Sequence, residues 1–173
     1  LMKQVTVLWR RYCCNNYCFL LRKTGFIELH YMGINKKSGK VILAGAGPGD
    51  ADLITIKLQK RLAEADVIIT DRLVNPEIIT AHAKKDVLIL LGGKQGYNND
   101  SYSQEEINQL IIEHALTGKT VVRLKGGDVA FFSNVLDELM ALQENNIPFE
   151  IIPGIPAASG ASAYTGIPLP ARG

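Results

Sequence analysis

Cysteine and histidine are scarce in this sequence, which leaves little material for a metal centre or a disulfide framework. The 173-residue chain has three of each, and Cys13, Cys14 and Cys18 all lie near its start. Structural zinc usually takes four ligands in two spaced pairs, and this cluster with the distant His30 does not match that spacing. We therefore expect no metal site. The absence of cysteine after residue 18 fits a reducing compartment, which predicts a cytoplasmic location.

The chain also lacks long apolar runs, and it does not carry an excess of one charge over its whole length. No apolar stretch reaches the roughly 18 residues needed to cross a bilayer, and Arg10 and Arg11 interrupt the part of the chain where a signal peptide would be apolar. We expect no membrane partner. Residues 1–40 hold eight Lys or Arg against one acid, whereas residues 41–173 hold eleven against sixteen acids. An acidic body argues against nucleic acid as the main partner.

From residue 41 onward, short apolar runs alternate with segments of helical period. The runs predict strands at 41–44, 67–70, 87–91, 120–124 and 149–152. The other segments predict helices at 52–65, 76–83, 103–116, 133–145 and 156–164, the third opening on a capping box and the fourth capped by Ser133. This alternation predicts an α/β fold with a mostly parallel sheet. We divide the chain into an atypical basic leader (1–37), an α/β domain (38–153) and a linker that starts a further domain (154–173).

Two glycine-rich turns, at residues 45–50 and 126–128, follow predicted strands. Ligands of open α/β sheets bind at the carboxyl ends of the strands, and glycine lets the main chain approach them closely. The first turn resembles the dinucleotide pattern G-x-G-x-x-G, but Asp50 replaces the third glycine and Pro48 removes an amide donor. This favours an uncharged or cationic ligand over a diphosphate. A plain tight turn remains the alternative.

Six segments occur in an order that is informative as a set, at residues 45–50, 65–74, 104–108, 122–128, 152–155 and 163–169. Over residues 40–172 the series resembles the tetrapyrrole methylases, most of all the members that act on uroporphyrinogen III. The resemblance implies S-adenosylmethionine-dependent C-methylation of uroporphyrinogen III to precorrin-2, on the way to sirohaem and cobalamin. The implied partners are an anionic tetrapyrrole and, in the full-length protein, a second copy of the chain. The alternatives are a methylase of another corrinoid precursor and a non-catalytic ligand-binding or dimerisation fragment.

The resemblance also assigns candidate cofactor contacts. They are Pro48 in the first turn, Gly126, Gly127 and Asp128 in the second, Phe131 after it, and Pro156 and Ala157 in a third segment. For the glycine pair the alternative is a tight strand-to-helix turn, and the series of motifs favours cofactor contact. Phe131 could be a core aromatic residue instead.

Two residues match acid/base positions of the family, Asp71 at a strand end and Lys94 after a glycine pair. Their alternatives are a helix-capping aspartate and a solvated loop lysine. Arg123 and Lys125, beside the end of the fourth predicted strand, are candidates for substrate carboxylates, with surface placement as the alternative.

The sequence departs from the family pattern at several points. A family arginine is missing from the segment 126–138, and Pro156 replaces a threonine. The family continues past the equivalent of Gly173 with a second α/β domain of about 80 residues or more, an ordinary size for a small domain. We therefore expect the N-terminal domain of the tetrapyrrole methylase fold with its second domain largely missing. Such a chain should bind the cofactor weakly and turn over poorly.

Overall fold

The computed structural model describes residues 38–92, 102–131, 133 and 135–169. Within these residues five strands form one sheet: β1 (Lys40–Gly45), β2 (Val67–Thr70), β3 (Leu88–Leu91), β4 (Thr120–Lys125) and β5 (Phe149–Ile152). Their order is β3-β2-β4-β1-β5, and every neighbouring pair is parallel. The predicted α/β class and parallel sheet are confirmed. All five carboxyl ends meet at one edge, where the candidate turns also lie.

Helices cover both faces of the sheet. The described residues contain α1 (Ile56–Glu64), α2 (Pro76–His82), α3 (Gln104–Leu116), α4 (Val135–Glu144) and α5 (Ala157–Thr165), with a 3₁₀ turn at Ala51–Leu53. Ile42 and Ala44 of β1 pack with residues of α1 and α2, whereas Val41 and Leu43 pack with residues of α3 and α4. The central strands are therefore buried on both faces, which explains their nearly continuous apolar sequences. None of the helices described is long and apolar enough to cross a membrane.

The predicted helix at 52–65 is wrong in its extent, because two caps divide the segment. The Asp50 side chain accepts the amide of Asp52 at 2.9 Å and starts the 3₁₀ turn. The Thr55 hydroxyl then accepts the amide of Leu58 at 3.2 Å and starts α1. Each cap satisfies an amide that a helix leaves unpaired at its N-terminus.

The two caps that the sequence predicted have opposite outcomes. Ser103 and Glu106 form the reciprocal capping box of α3, as predicted. Ser133 does not cap α4 through its side chain; its carbonyl accepts the amide of Val135 at 2.8 Å. The Ser133 hydroxyl is buried and has no hydrogen-bond partner in the part of the chain that the structure describes.

Asp66 fastens the start of β2 to the start of β4. Its amide donates to the Thr120 carbonyl at 2.9 Å, and its carboxylate accepts the Thr120 amide at 2.8 Å and the Lys84 ammonium at 2.6 Å. The hydrogen bond from Lys84, followed by that from the Thr120 amide, lowers the pKa of Asp66 below its ordinary value. The folded state therefore binds a proton at this site less readily than the unfolded chain does.

We expect Asp66→Asn to lower stability by less than about 1 kcal/mol at neutral pH, because the side chain is 41% exposed. The asparagine oxygen can still accept the Thr120 amide, so the loss is mainly that of the charge. A carboxyl whose pKa is lowered by folding contributes fully to the free energy of unfolding when the pH is above the pKa of the unfolded chain, about 3.9. This contribution disappears as the pH falls through the lower pKa of the folded state. In urea unfolding, the difference between the proteins should thus narrow below about pH 4. A difference that is constant from pH 7 to pH 3 would contradict this.

Candidate functional site

The first two glycine turns touch each other. Gly47 and Gly127 exchange two backbone hydrogen bonds, of 3.0 and 2.9 Å, and form an isolated antiparallel bridge beyond the parallel strands. The Ala46 amide adds a bond of 2.7 Å to the Lys125 carbonyl. Both bridging glycines have positive φ, 78° and 68°, which side-chain-bearing residues rarely adopt. The turns after β1 and β4 therefore form one continuous surface.

The loop after β5 joins the same place. The Gly154 amide donates to Asp128 Oδ1 at 3.2 Å. A Cβ atom at Gly154 would lie 2.2 Å from the Gly127 carbonyl oxygen, and one at Gly45 would lie 2.5 Å from that same oxygen. We call residues 45–50, 126–128 and 153–157 the loop junction. Here backbone packs directly on backbone, and this packing alone requires glycine at positions 45 and 154.

Helix α5 packs over the first turn. A Cβ atom at Gly160 would lie 2.5 Å from Pro48 Cβ, and the Tyr164 hydroxyl donates to Asp50 Oδ2 at 2.6 Å. That bond, together with the Asp52 amide, lowers the pKa of Asp50. Pro48 thus packs against α5, and its predicted contact with a cofactor stays a prediction.

The N-terminus of α5 lies next to the second turn. Pro156 is the N-cap residue, and its carbonyl accepts the amides of Ser159 and Gly160 at 3.0 and 3.1 Å. The first amides of a helix have no partner inside it, so those of Ala157 and Ala158 remain for an anionic group such as a carboxylate. Ala157 lies close to the second turn, with its nitrogen 3.6 Å from a Cβ built at Gly127.

Asp128 has a structural task at the junction. Its side chain is buried, and Oδ1 accepts the amides of Ala130 at 3.1 Å and Gly154 at 3.2 Å. It therefore ties the loop after β4 to the loop after β5. Its predicted contact with a cofactor stays a prediction.

A cleft of about 580 Å³ adjoins the loop junction on the β2 side of β4. Gly126 belongs to both places. The lining residues include Asp71, Arg72 and Leu73 after β2, Gly126 and Phe131 after β4, and Gln104, Ile107 and Asp137 from α3 and α4.

The predicted site residues divide between these two places. Pro48, Gly127, Asp128, Pro156 and Ala157 gather at the loop junction. Asp71, Gly126 and Phe131 line the cleft, and Lys94 lies outside the described residues. Phe131 is 59% exposed, so its interpretation as a core aromatic residue is wrong.

A buried ionic network forms the base of the cleft. The fully buried Glu138 carboxylate accepts Arg123 Nε at 3.1 Å, and Lys125 Nζ lies 3.2 Å from both of its oxygens. The other end of the Arg123 guanidinium donates through Nη2 to Asp71 Oδ1, and Nη1 donates to the Ile69 carbonyl at 3.4 Å. Two cations thus face two carboxylates.

The network corrects the interpretation of Arg123 and Lys125. Surface placement is wrong, because these residues are only 2% and 8% exposed. Both face α4 from a strand that is covered on both sides, and a buried charge needs a partner there. Since Glu138 and Asp71 already neutralise them, they are poorly suited to bind substrate carboxylates. Sequence reasoning missed Glu138 because its partners lie 13 and 15 positions away on another element.

Comparison with known proteins identifies the family. The profile of the Tetrapyrrole (Corrin/Porphyrin) Methylases matches residues 40–173. The chain belongs to this family. Uroporphyrinogen-III C-methyltransferase of Methanocaldococcus jannaschii is 48% identical over 136 residues, which cover 78% of this chain and 55% of that protein. Siroheme synthase 2 of Serratia proteamaculans is 47% identical over 137 residues, 79% of this chain and 29% of that protein.

Solved structures of tetrapyrrole methylases have the same fold. Uroporphyrin-III C-methyltransferase from Thermus thermophilus superimposes with a TM-score of 0.67 at 36% identity, covering 78% of this chain and 56% of that one. A structure of this enzyme complexed with S-adenyl homocysteine gives a TM-score of 0.62. The chain therefore spans about half the length of the methyltransferases it matches. The expected tetrapyrrole methylase fold is confirmed over about half the length of that enzyme.

Within the candidate site, sequence reasoning also missed Asn75. Its Oδ1 accepts the amide of Glu77 at 3.0 Å and so caps α2, while its Nδ2 donates to the Gly49 carbonyl at 2.8 Å. The turn that carries Asp71 is thereby tied to the first glycine turn. The capping half of this pattern was visible in the sequence, since asparagine before proline often starts a helix, but the contact with Gly49 depends on the fold.

We expect Asn75→Asp to separate these two tasks. An aspartate still accepts the Glu77 amide, but it cannot donate to the Gly49 carbonyl, and two oxygens then face each other. Ligand affinity at the loop junction should fall about 3- to 10-fold, equivalent to the loss of about one hydrogen bond, with α2 retained. Isothermal titration with S-adenosylhomocysteine and a thermal melt measure the two effects.

Asn75→Ala, which removes both bonds, should also lower stability by about 1 kcal/mol. If wild type and Asn75→Asp bind S-adenosylhomocysteine with equal affinity, the contact between Asn75 and the Gly49 carbonyl has no role in ligand binding.

Proposed function

We propose that this chain is the N-terminal part of an S-adenosylmethionine-dependent methyltransferase that converts uroporphyrinogen III to precorrin-2. The observation that carries the proposal is the arrangement of two adjacent sites along one sheet edge. The loop junction presents backbone groups and a helix N-terminus, and the neighbouring cleft presents the Asp71 carboxylate. Two relatives that match 78% of this chain are named as C-methyltransferases of uroporphyrinogen III or uroporphyrin III.

The loop junction has the chemistry that the methyl donor requires. S-adenosylmethionine carries a carboxylate, a neutral nucleoside and no phosphate. The amides of Ala157 and Ala158 suit a carboxylate, whereas the exposed Asp50 carboxylate beside the first turn would repel a diphosphate. Pro48, Gly127 and Ala157 would hold the donor, with Gly126 and Phe131 on the side of the cleft. When bound, it supplies an electrophilic methyl group on a sulfonium.

The cleft would receive the ring that is methylated. Leu73 and Phe131 expose apolar surface there, as a flat pyrrole requires. A pyrrole carbon that gains a methyl group leaves its ring with an extra positive charge, which is removed by loss of a proton. Asp71 lies in the cleft with one carboxylate oxygen bonded to Arg123, an orientation that suits a proton acceptor. Lys94 remains a candidate proton donor on the strength of the resemblance.

The test is a thermal melt of the 173-residue chain with S-adenosylhomocysteine at rising concentration up to the millimolar range, with NADH as the control dinucleotide. We expect stabilisation by the first ligand only, with weak affinity. Methyl incorporation from labelled S-adenosylmethionine into uroporphyrinogen III is the second measurement. Stabilisation by NADH alone would overturn the proposal. If S-adenosylhomocysteine binds but a later corrinoid precursor is methylated in place of uroporphyrinogen III, the chain is instead part of a methylase of that precursor. A cobalt precorrin-4 methyltransferase is an example of such an enzyme with a similar fold, at a TM-score of 0.67 and 30% identity.

Homodimerisation belongs to the same proposal. It rests on the resemblance, and light scattering on the purified chain tests it.

A further inference from the structure

The cleft contains three cationic side chains in the described part of its lining, and they are not equivalent. Arg123 and Lys125 are buried and paired with Glu138 and Asp71. Arg72 is exposed and forms no ion pair with any residue that the structure describes. Among the described cleft residues, Arg72 is therefore the cation whose charge is available to a ligand.

The turn that carries Arg72 is held at three points. The Val74 amide donates to the Asp71 carbonyl at 3.1 Å, which closes the turn, and the Asp71 amide donates to the Leu124 carbonyl at 3.2 Å. The third point is the bond from the Asn75 side chain to the Gly49 carbonyl. The Arg72 main chain is thus held beside the junction, and its exposed side chain lines the cleft.

Acidic side chains also line the described part of the cleft. Asp137, on the first turn of α4, is exposed and lines the cleft. A carboxylate on the ligand would be repelled by Asp137 and by Asp71 and attracted by Arg72. The charges that line the cleft therefore favour an orientation in which a carboxylate substituent of the ring lies at Arg72.

We propose that Arg72 binds a peripheral carboxylate of the tetrapyrrole and so sets which ring enters the cleft. This rests on the proposed function. A guanidinium can bind a carboxylate through two parallel hydrogen bonds, which fixes direction as well as distance. Arg72 and Asp71 both line the cleft, so a carboxylate held by Arg72 would position the ring that carries it relative to Asp71. Arg72 acts on substrate orientation and takes no part in the proton transfer.

The experiment compares Arg72→Gln and Arg72→Lys with wild type, and uses Lys85→Gln, an exposed cation before β3, as the matched loss of charge. The binding probe is uroporphyrin III, the stable oxidised octacarboxylate, followed by its own fluorescence anisotropy. We expect the Kd to rise about 10-fold in Arg72→Gln, since a charge-assisted hydrogen bond is lost, and less in Arg72→Lys. Lys85→Gln should bind like wild type. The thermal shift by S-adenosylhomocysteine should be the same in all four proteins.

Methyl transfer supplies the second readout. A carboxylate anchor predicts a higher KM for uroporphyrinogen III in Arg72→Gln with little change in its affinity for the methyl donor. An unchanged Kd and KM in Arg72→Gln would overturn the assignment of Arg72 and leave the proposed function standing. Equal losses in Arg72→Gln and Lys85→Gln, or a parallel loss of S-adenosylhomocysteine binding, would overturn it too. Failure of wild type to respond to S-adenosylhomocysteine would instead overturn the proposed function.

Discussion

Replacing Glu138 with glutamine is expected to lower the free energy of unfolding by about 3–5 kcal/mol, although the side chain hardly changes in shape. The carboxylate is fully buried and accepts hydrogen bonds from both Arg123 and Lys125. Without its charge, Arg123 would keep only the partly exposed Asp71, and Lys125 would have no carboxylate partner among the described residues. Most of the cost is the penalty for cations that have left water without a compensating anion. Urea unfolding of Glu138→Gln at neutral pH measures the effect.

Glu64 provides a matched control for this prediction. Its carboxylate also pairs with two cations, Lys40 and Arg61, but its side chain is 48% exposed. Glu64→Gln should therefore cost at most about 1 kcal/mol. If both variants lose the same small amount, the network at the base of the cleft does not have the energetic weight that its burial indicates.

A triple replacement of the buried group would separate stability from function. Changing Arg123, Lys125 and Glu138 together to apolar residues of similar size removes the unpaired charges as well as the pairs, and such changes are often neutral. Asp71 would then lose the guanidinium that orients it. A folded but inactive triple variant would indicate that the network serves the orientation of Asp71 more than the stability of the fold.

The features that the sequence predicted well are those whose partners lie close along the chain. Ser103 and Glu106 are three positions apart and form their capping box as expected. The buried strands were visible because both faces of a central parallel strand are apolar, so a continuous run such as 41–44 needs no further information. The errors follow from the same rule. The segment 52–65 was assigned one helix because the second cap, Thr55, lies inside an otherwise helical pattern.

The candidate site depends on contacts between distant positions. That the turns at 45–50 and 126–128 touch follows from the pairing of β1 with β4, and the sequence could suggest only that both reach one edge. Arg123 and Lys125 have charged side chains in a strand, which by themselves indicate exposure. Only the position of Glu138 on α4, over the same face of the sheet, explains why they are buried. The sequence also could not indicate which of the predicted site residues lie at the loop junction and which line the cleft.

Gly154→Ala is expected to disrupt the loop junction and, with it, binding of the methyl donor. The added Cβ would lie 2.2 Å from the Gly127 carbonyl oxygen and 2.9 Å from the carbonyl carbon and oxygen of Gly45. All of these are backbone atoms of hydrogen-bonded turns, so no side chain can rotate away. Overpacking of this kind costs about 1–3 kcal/mol or more. We therefore expect a clear loss of stability in urea, and little or no thermal shift with S-adenosylhomocysteine.

Gly126→Ala is the control within the same junction. A Cβ at Gly126 would lie 3.4 Å from Leu73 Cβ, an ordinary contact, and Gly126 does not have a positive φ. The free energy of unfolding of the Gly126→Ala protein should differ from that of wild type by less than about 1 kcal/mol, because alanine at this position mainly restricts the unfolded chain. Loss of S-adenosylhomocysteine binding in a stable Gly126→Ala protein would then indicate direct contact at this glycine, whereas retained binding would favour the tight-turn interpretation. A Gly154→Ala protein with the stability and affinity of wild type would show that the three loops need not meet for the ligand to bind.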